Sequence, residues 1–178
     1  MLRRVLLIFA AMSIAFAALP PGRPLPDLPV LLSGGKQIPL KQFRGKPVLL
    51  VIFSTTCKDC EEIINLLDKR QAEWANQGLQ IVTAAVEPEA ARMVGTWLIH
   101  NKKPYPVGYL DLDPYRKIAN VKPEQTAHVP ILLFIDPQGI VRVQFFGDDP
   151  LLKTLERTVR NTVQELLKEP RQAPAAKR

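Results

Sequence analysis

The chain has 178 residues, 47% of them hydrophobic and 23% charged, with 24 basic against 17 acidic side chains and a net charge of +7. That balance suits one globular domain with a sizeable core, and no internal repeat is visible to suggest a solenoid. The basic excess is modest, part of it sits in the C-terminal helix and tail, and no basic stripe is interleaved with aromatics, so nucleic-acid binding is not supported.

Taken in order, Arg3 and Arg4 precede an apolar run from Val5 to Leu19 broken only by Ser13, and Ala15-Phe16-Ala17 offers small residues at the spacing a signal peptidase needs. Residues 1–17 are therefore expected to be a removable export signal. A retained anchor is the alternative, but the run is shorter than the roughly 20 residues that span a bilayer, and Pro20-Pro21-Gly22 stops it. Cleavage takes away Arg3 and Arg4 and no acid, leaving 22 basic against 17 acidic residues. The expected location is extracytoplasmic, in the bacterial periplasm, either soluble or N-terminally anchored. Membrane association is expected only if the N-terminal segment is kept.

Residues 18–27 hold Pro20, Pro21, Pro24 and Pro26 and read as an extended arm. Leu28 to Leu32, Ser33-Gly34-Gly35-Lys36 and Gln37 to Leu40 predict a strand, a turn and a second strand. Pro47 to Phe53 is an uninterrupted apolar segment of the kind buried on both faces of a sheet. Helical spacing follows from Glu61, with Ile63, Ile64, Leu67 and Trp74 on one face and Gly78 placed to end the helix. Leu79 to Val86 predicts a strand, and Glu89 to His100 a helix with Ala90, Met93, Val94, Trp97 and Leu98 at helical spacing. This order predicts a parallel sheet with covering helices. Val107 to Leu110 reads as a short edge element and Pro114 to Ala119 as a short helix. Two further strands flank the Pro137-Gln138-Gly139 turn and make the sheet mixed. Leu151, Leu155, Val159, Val163 and Leu166 then line one face of a last helix, and residues 170–178 read as a disordered tail. The folded domain is expected over residues 28–169.

The chemistry lies at the exit of the Pro47–Phe53 strand, where the only two cysteines of the chain stand as Cys57-Lys58-Asp59-Cys60. A thiolate at a helix N-terminus meets unpaired N–H groups and the positive end of the helix dipole, which predicts a lowered pKa for the first cysteine. Cys57 is the expected nucleophile. Cys60, one turn further in, is within reach to close a disulfide and act as the resolving thiol. Lys58 favours the thiolate while Asp59, Glu61 and Glu62 oppose it. A static disulfide and a zinc site are the competing readings, and zinc is disfavoured because His100 and His128 are the only imidazoles and there is no second C-x-x-C.

The succession of strand, Cys57-x-x-Cys60 on a helix start, strand, helix, Val129-Pro130 before a strand, Ile135-Asp136-Pro137-Gln138-Gly139 and a terminal helix resembles the thioredoxin fold. The exported N-terminus, the leading hairpin and the long middle insertion resemble the TlpA/ResA-type thiol-disulfide oxidoreductases of the AhpC/TSA-redoxin superfamily, over roughly residues 25–168. The resemblance implies an α/β thioredoxin-like fold, with a mixed central sheet flanked by helices, an N-terminal β-hairpin extension and a middle insertion. It implies a redox-active disulfide with no cofactor, a cis Pro130 facing the disulfide, and Val129 as the residue that binds the substrate strand. The partners it implies are a protein carrying a disulfide substrate and an electron-donor protein.

The chain departs from that branch in having Thr56 where a tryptophan usually precedes the first cysteine, Asp59 where a proline precedes the second, and Ile63 where some members have an acid. Glu61 and Glu62 are expected to point elsewhere. Two related chemistries on the same fold compete. Cys57, Cys60 and His128 resemble the copper set of Sco-type proteins, although those space their cysteines C-x-x-x-C. A peroxiredoxin pattern laid on Cys57 puts Ser54 at its threonine and Leu50 at its proline, and so is not met. A non-catalytic binding module is the remaining reading. Trp74 and Trp97 are expected in the core, Asp111 and Asp113 at a loop and helix cap, and His100 at the surface.

Overall fold

The computed structural model describes residues 22–170. The expected export signal and all of the expected tail except Pro170 lie outside the described residues. The centre of the fold is β4 (Val48–Phe53), six residues all buried, as an apolar run covered on both faces must be. It pairs in parallel with β5 (Gln80–Ala85), Val48 opposite Gln80 through Phe53 opposite Ala85, and antiparallel with β7 (Ile131–Ile135). β8 (Ile140–Phe145) returns antiparallel to β7 through the turn at Pro137-Gln138-Gly139, so the sheet is mixed as expected. Asp136 secures that turn: fully buried, it accepts from Ile140 N at 2.8 Å and from Arg142 Nε at 2.7 Å.

Alternation along β4 divides the core. Leu49, Val51 and Phe53 pack with Ile63, Leu67 and Trp74 of α1 (Lys58–Asn76), Ala90 and Val94 of α2 (Ala90–His100), and Val159, Val163 and Leu166 of α4 (Leu155–Leu167). Val48, Leu50 and Ile52 face the second cluster, which includes Ile118 and Ala119 of α3 (Leu112–Ala119). Helices thus cover both faces. Gly78 stands just past α1 with φ +93°, the left-handed position that ends the helix as its spacing predicts.

The flanks of the sheet differ from the sequence reading. The hairpin β2 (Pro29–Leu31) and β3 (Gln37–Pro39) docks on β6 (Val107–Tyr109), which also pairs in parallel with β5. β6 is therefore an interior strand and not the edge element expected at residues 107–110. Gly108 permits this, since a Cβ there would overlap the Leu31 carbonyl. At the other flank the proline arm supplies β1 (Arg23–Pro24), paired with Val141 and Ile140 of β8. Leu151 falls in a 3-10 turn ahead of α4 and is 56% exposed, so it does not belong to the apolar face expected to run through it.

Candidate active site

β4 ends at Phe53, and the chain turns through Ser54, Thr55 and Thr56 into α1 with Cys57 as its N-cap. Local hydrogen bonds shape the turn: Cys57 N donates to the Ser54 carbonyl at 3.2 Å, and Thr56 N to Ser54 Oγ at 3.3 Å. The neighbouring strand holds it from the side. Val86 N donates to the Phe53 carbonyl at 2.9 Å, and the Glu87 carboxylate accepts from Thr55 N at 2.8 Å and from the Thr55 hydroxyl. Glu87 was not singled out in the sequence, because only the β4–β5 register brings it to Thr55.

Cys57 and Cys60 form a disulfide across one helical turn, with Cα atoms 5.2 Å apart. The two sulfurs differ in access. Cys57 is half-buried and borders open space, whereas Cys60 is 1% exposed and packed in the core. Cys57 Sγ accepts from Cys60 N at 3.2 Å, the N-cap contact that in the dithiol form would place a donor on a Cys57 thiolate.

The Val129-Pro130 bond is cis, and the Val129 carbonyl oxygen lies 3.8 Å from Cys57 Sγ. The expected residues Cys57, Cys60, Val129 and Pro130 are thus brought together. Gly147 holds this loop from behind: its N–H donates to the His128 carbonyl at 2.8 Å, and a Cβ on it would overlap the Val129 carbonyl. Of the alternative copper set, the His128 side chain is exposed, and Cys57 and Cys60 are joined to each other in the disulfide. Among the described residues no three His, Cys, Asp or Glu side chains are grouped to hold a metal ion.

A cleft of about 440 Å³ opens beside the disulfide, lined by Phe53, Cys57, Cys60, Ile64, Trp97 and Lys103 together with several polar side chains. Trp97, expected in the core, is half-buried in its wall, with its ring 5.5 Å from that of Phe53. Helical spacing gives the same signal for a core residue and for one lining a cleft. Glu61 also lines the cleft, against the expectation that it would point away; four residues after Cys57, it lies on the same side of α1. Ile63 is fully buried, so no carboxylate stands at that position beneath the pair. His100 is exposed at the last residue of α2, and Asp111 is the N-cap of α3, though its side chain makes no cap hydrogen bond.

Lys103 Nζ sits 5.3 Å from the Trp97 ring centroid and pairs with Asp68 at 2.6 Å, its side chain only 8% exposed. Tyr105 donates its hydroxyl to the other Asp68 oxygen at 2.7 Å, and burial first, then the Asp68 carboxylate, push the Tyr105 pKa up. On the far side of Pro130 and Gly147 a second cleft of about 390 Å³ is bordered by Asp59, Glu62, Asp148 and Asp149.

Residues 21–144 match the AhpC/TSA family. The thiol-disulfide oxidoreductase ResA of Bacillus thuringiensis subsp. konkukian is 33% identical over 61 residues, which is 34% of this chain and 35% of that protein. The match spans about a third of the length of the relative. Among solved structures, a thiol:disulfide interchange protein of the thioredoxin family from Chlorobium tepidum superposes with a TM-score of 0.63 at 21% identity, covering 81% of this chain and 98% of that one. The thioredoxin domain of a thiol-disulfide oxidoreductase from Bacteroides vulgatus gives 0.61 at 21% identity, covering 82% and 99%. These likenesses establish the thioredoxin-like fold that the sequence resemblance implied.

Proposed function

Because this chain belongs to the AhpC/TSA family and closes a C-x-x-C disulfide against a cis-proline loop, we propose that it is an exported thiol-disulfide oxidoreductase that reduces disulfides in partner proteins. The observation that carries this reading is the division between an accessible Cys57 at the helix N-cap and a buried Cys60 one turn behind it. An attacking sulfur needs access and a stabilised thiolate, and a resolving sulfur needs protection from outside thiols and reach to its neighbour.

In the dithiol form the Cys57 thiolate attacks one sulfur of the substrate disulfide. A Cys57–substrate disulfide forms, and the other substrate sulfur leaves as a thiolate that takes up a proton. Cys60, deprotonated, then attacks Cys57 Sγ and expels the second substrate thiolate. Two electrons pass to the substrate, and the Cys57–Cys60 disulfide remains until a dithiol donor protein reduces it. The Val129-Pro130 edge is where the substrate backbone would lie during the exchange, and the protein's own disulfide is the redox centre, with no added cofactor. The extracytoplasmic assignment rests on the N-terminal sequence pattern; among the described residues no helix is long and apolar enough to cross a membrane.

The test is the equilibrium reduction potential of the pair, measured by thiol trapping in buffers of defined thiol/disulfide ratio. A value near or below about −250 mV supports a reductase, while one near about −120 mV makes the protein a disulfide donor. A pair that does not cycle removes the oxidoreductase reading.

A further inference from the structure

We propose that Trp97 determines which disulfides are reduced, as the aromatic wall of a cleft that receives an apolar side chain flanking the substrate cysteine, with Lys103 and Asp68 as the positioning pair. The inference rests on the oxidoreductase reading and names the substrate class of the same site. Trp97 is a large aromatic left half-buried beside the reactive sulfur, and it is restrained on several sides. Phe53 meets its ring in a tilted contact at 5.5 Å, and Lys103 Nζ lies 5.3 Å from its centroid. Its carbonyl accepts from both the backbone N and the side-chain Nδ2 of Asn101, at 3.0 and 2.9 Å, where α2 ends.

Lys103 is not a free surface charge. Its ammonium is 2.6 Å from Asp68, a residue of α1 that also accepts from Tyr105, so the cation over the indole is fixed from the helix that carries the cysteines. Such an indole loses little side-chain freedom when a ligand packs on it, the feature that makes rigid aromatics effective binding anchors. Trp97 is the apolar surface this cleft presents, backed by the buried Phe53 and Ile64, while Ser54, Thr55, Glu61 and the asparagines make the rest of the lining polar. About 440 Å³ leaves room for a phenylalanine side chain against the indole. Cys57 itself lines this space, so a substrate whose sulfur sits on Cys57 has the residue beside its cysteine within reach of it.

The experiment uses the reduced full chain and two cyclic disulfide peptides that differ only in having Phe or Ala beside one cysteine. Reduction of each is followed by chromatography after thiol trapping, with 5,5′-dithiobis(2-nitrobenzoate) as a disulfide without a peptide flank. Burial of the ring is expected to make the Phe peptide react about tenfold faster than the Ala peptide with the wild-type protein. Trp97→Ala and Trp97→Leu are expected to bring that ratio to within about twofold. Lys103→Met is expected to lower the ratio and Lys103→Arg, which keeps both the cation over the ring and the Asp68 pair, to restore it. A ratio of two substrates on one preparation does not depend on how much of a variant is folded. A wild type that reduces the nitrobenzoate disulfide but shows no peptide preference, or Trp97 variants that keep the full preference, overturn the proposal alone. Failure of the wild type to reduce any of the three disulfides overturns the oxidoreductase reading, and this proposal with it.

Discussion

At the scale of single residues, Gly147 carries no reactive group, yet the place of the Val129 carbonyl against Cys57 depends on it. The residue has room for a hydrogen and none for a methyl, because a Cβ would overlap that carbonyl. Overpacking of this kind costs about 1–3 kcal/mol and is relieved by moving the loop. Gly147→Ala is therefore expected to lower the melting temperature by a few degrees and to slow reduction of a small disulfide by about tenfold or more, measured by stopped flow. An unchanged rate would mean that the loop position is immaterial to the exchange. Cys57 and Cys60 could be singled out in the sequence by their own chemistry at a strand-to-helix junction, and Val129 and Pro130 through the family resemblance, because each pair is a short contiguous pattern. Glu87, Trp97 and Gly147 could not, because what they touch is fixed by the pairing of β4 with β5, by the end of α2, and by the return of the chain after β8.

Among the elements, the segment between α2 and β6 is tied to α1 by Asp68, which accepts from Tyr105 at 2.7 Å and pairs with Lys103 at 2.6 Å. Tyr105 is 7% exposed, and burial followed by the Asp68 contact hold its pKa above the unfolded value. A group whose folded pKa is raised contributes stability that is fully present below its unfolded pKa, about 10 for tyrosine, and is lost as the pH climbs toward the folded value. Urea unfolding of the wild type is thus expected to weaken above about pH 10, by about 1 kcal/mol for the first unit from this one side chain. Burial raises Tyr115 as well, so only part of the slope belongs to Tyr105. Tyr105→Phe should remove that part, and identical slopes in the two proteins would refute the assignment. Element identity was largely readable here, because apolar periodicity and the punctuation by Gly78 and Pro137 are local. The interior place of β6 was not, since it depends on a hairpin some 70 residues earlier returning to cover it.

For the molecule as a whole, the alternation of strands and helices implied a sheet covered by helices, and the resemblance carried by Cys57-x-x-Cys60 and Val129-Pro130 implied the thioredoxin-like arrangement, while the extent of the sheet at its β8 flank came from the arm. Arg23 and Pro24 pair with Val141 and Ile140, and Arg23 Nη2 donates to the Ile118 carbonyl at 2.6 Å and to Gln144 Oε1 at 2.7 Å. Gly22 allows the approach, because a Cβ there would overlap the Val141 carbonyl. Removal of residues 1–17 leaves this covering of β8 intact, whereas a cut a few residues later would strip it. Cleavage after Ala17, which the N-terminal pattern predicts, is expected to leave a chain beginning at Ala18, as read by N-terminal sequencing, and an intact Met1 would contradict cleavage. A chain begun at Pro26 should lose about 1–3 kcal/mol in urea relative to one begun at Ala18, from hydrogen bonds worth about 1 kcal/mol each. Its uncovered β8 edge should also raise light scattering on concentration, because an open edge is a template for pairing between copies. Equal stability of the two chains would make β1 a passive contact, and the fold would then need nothing before Pro26.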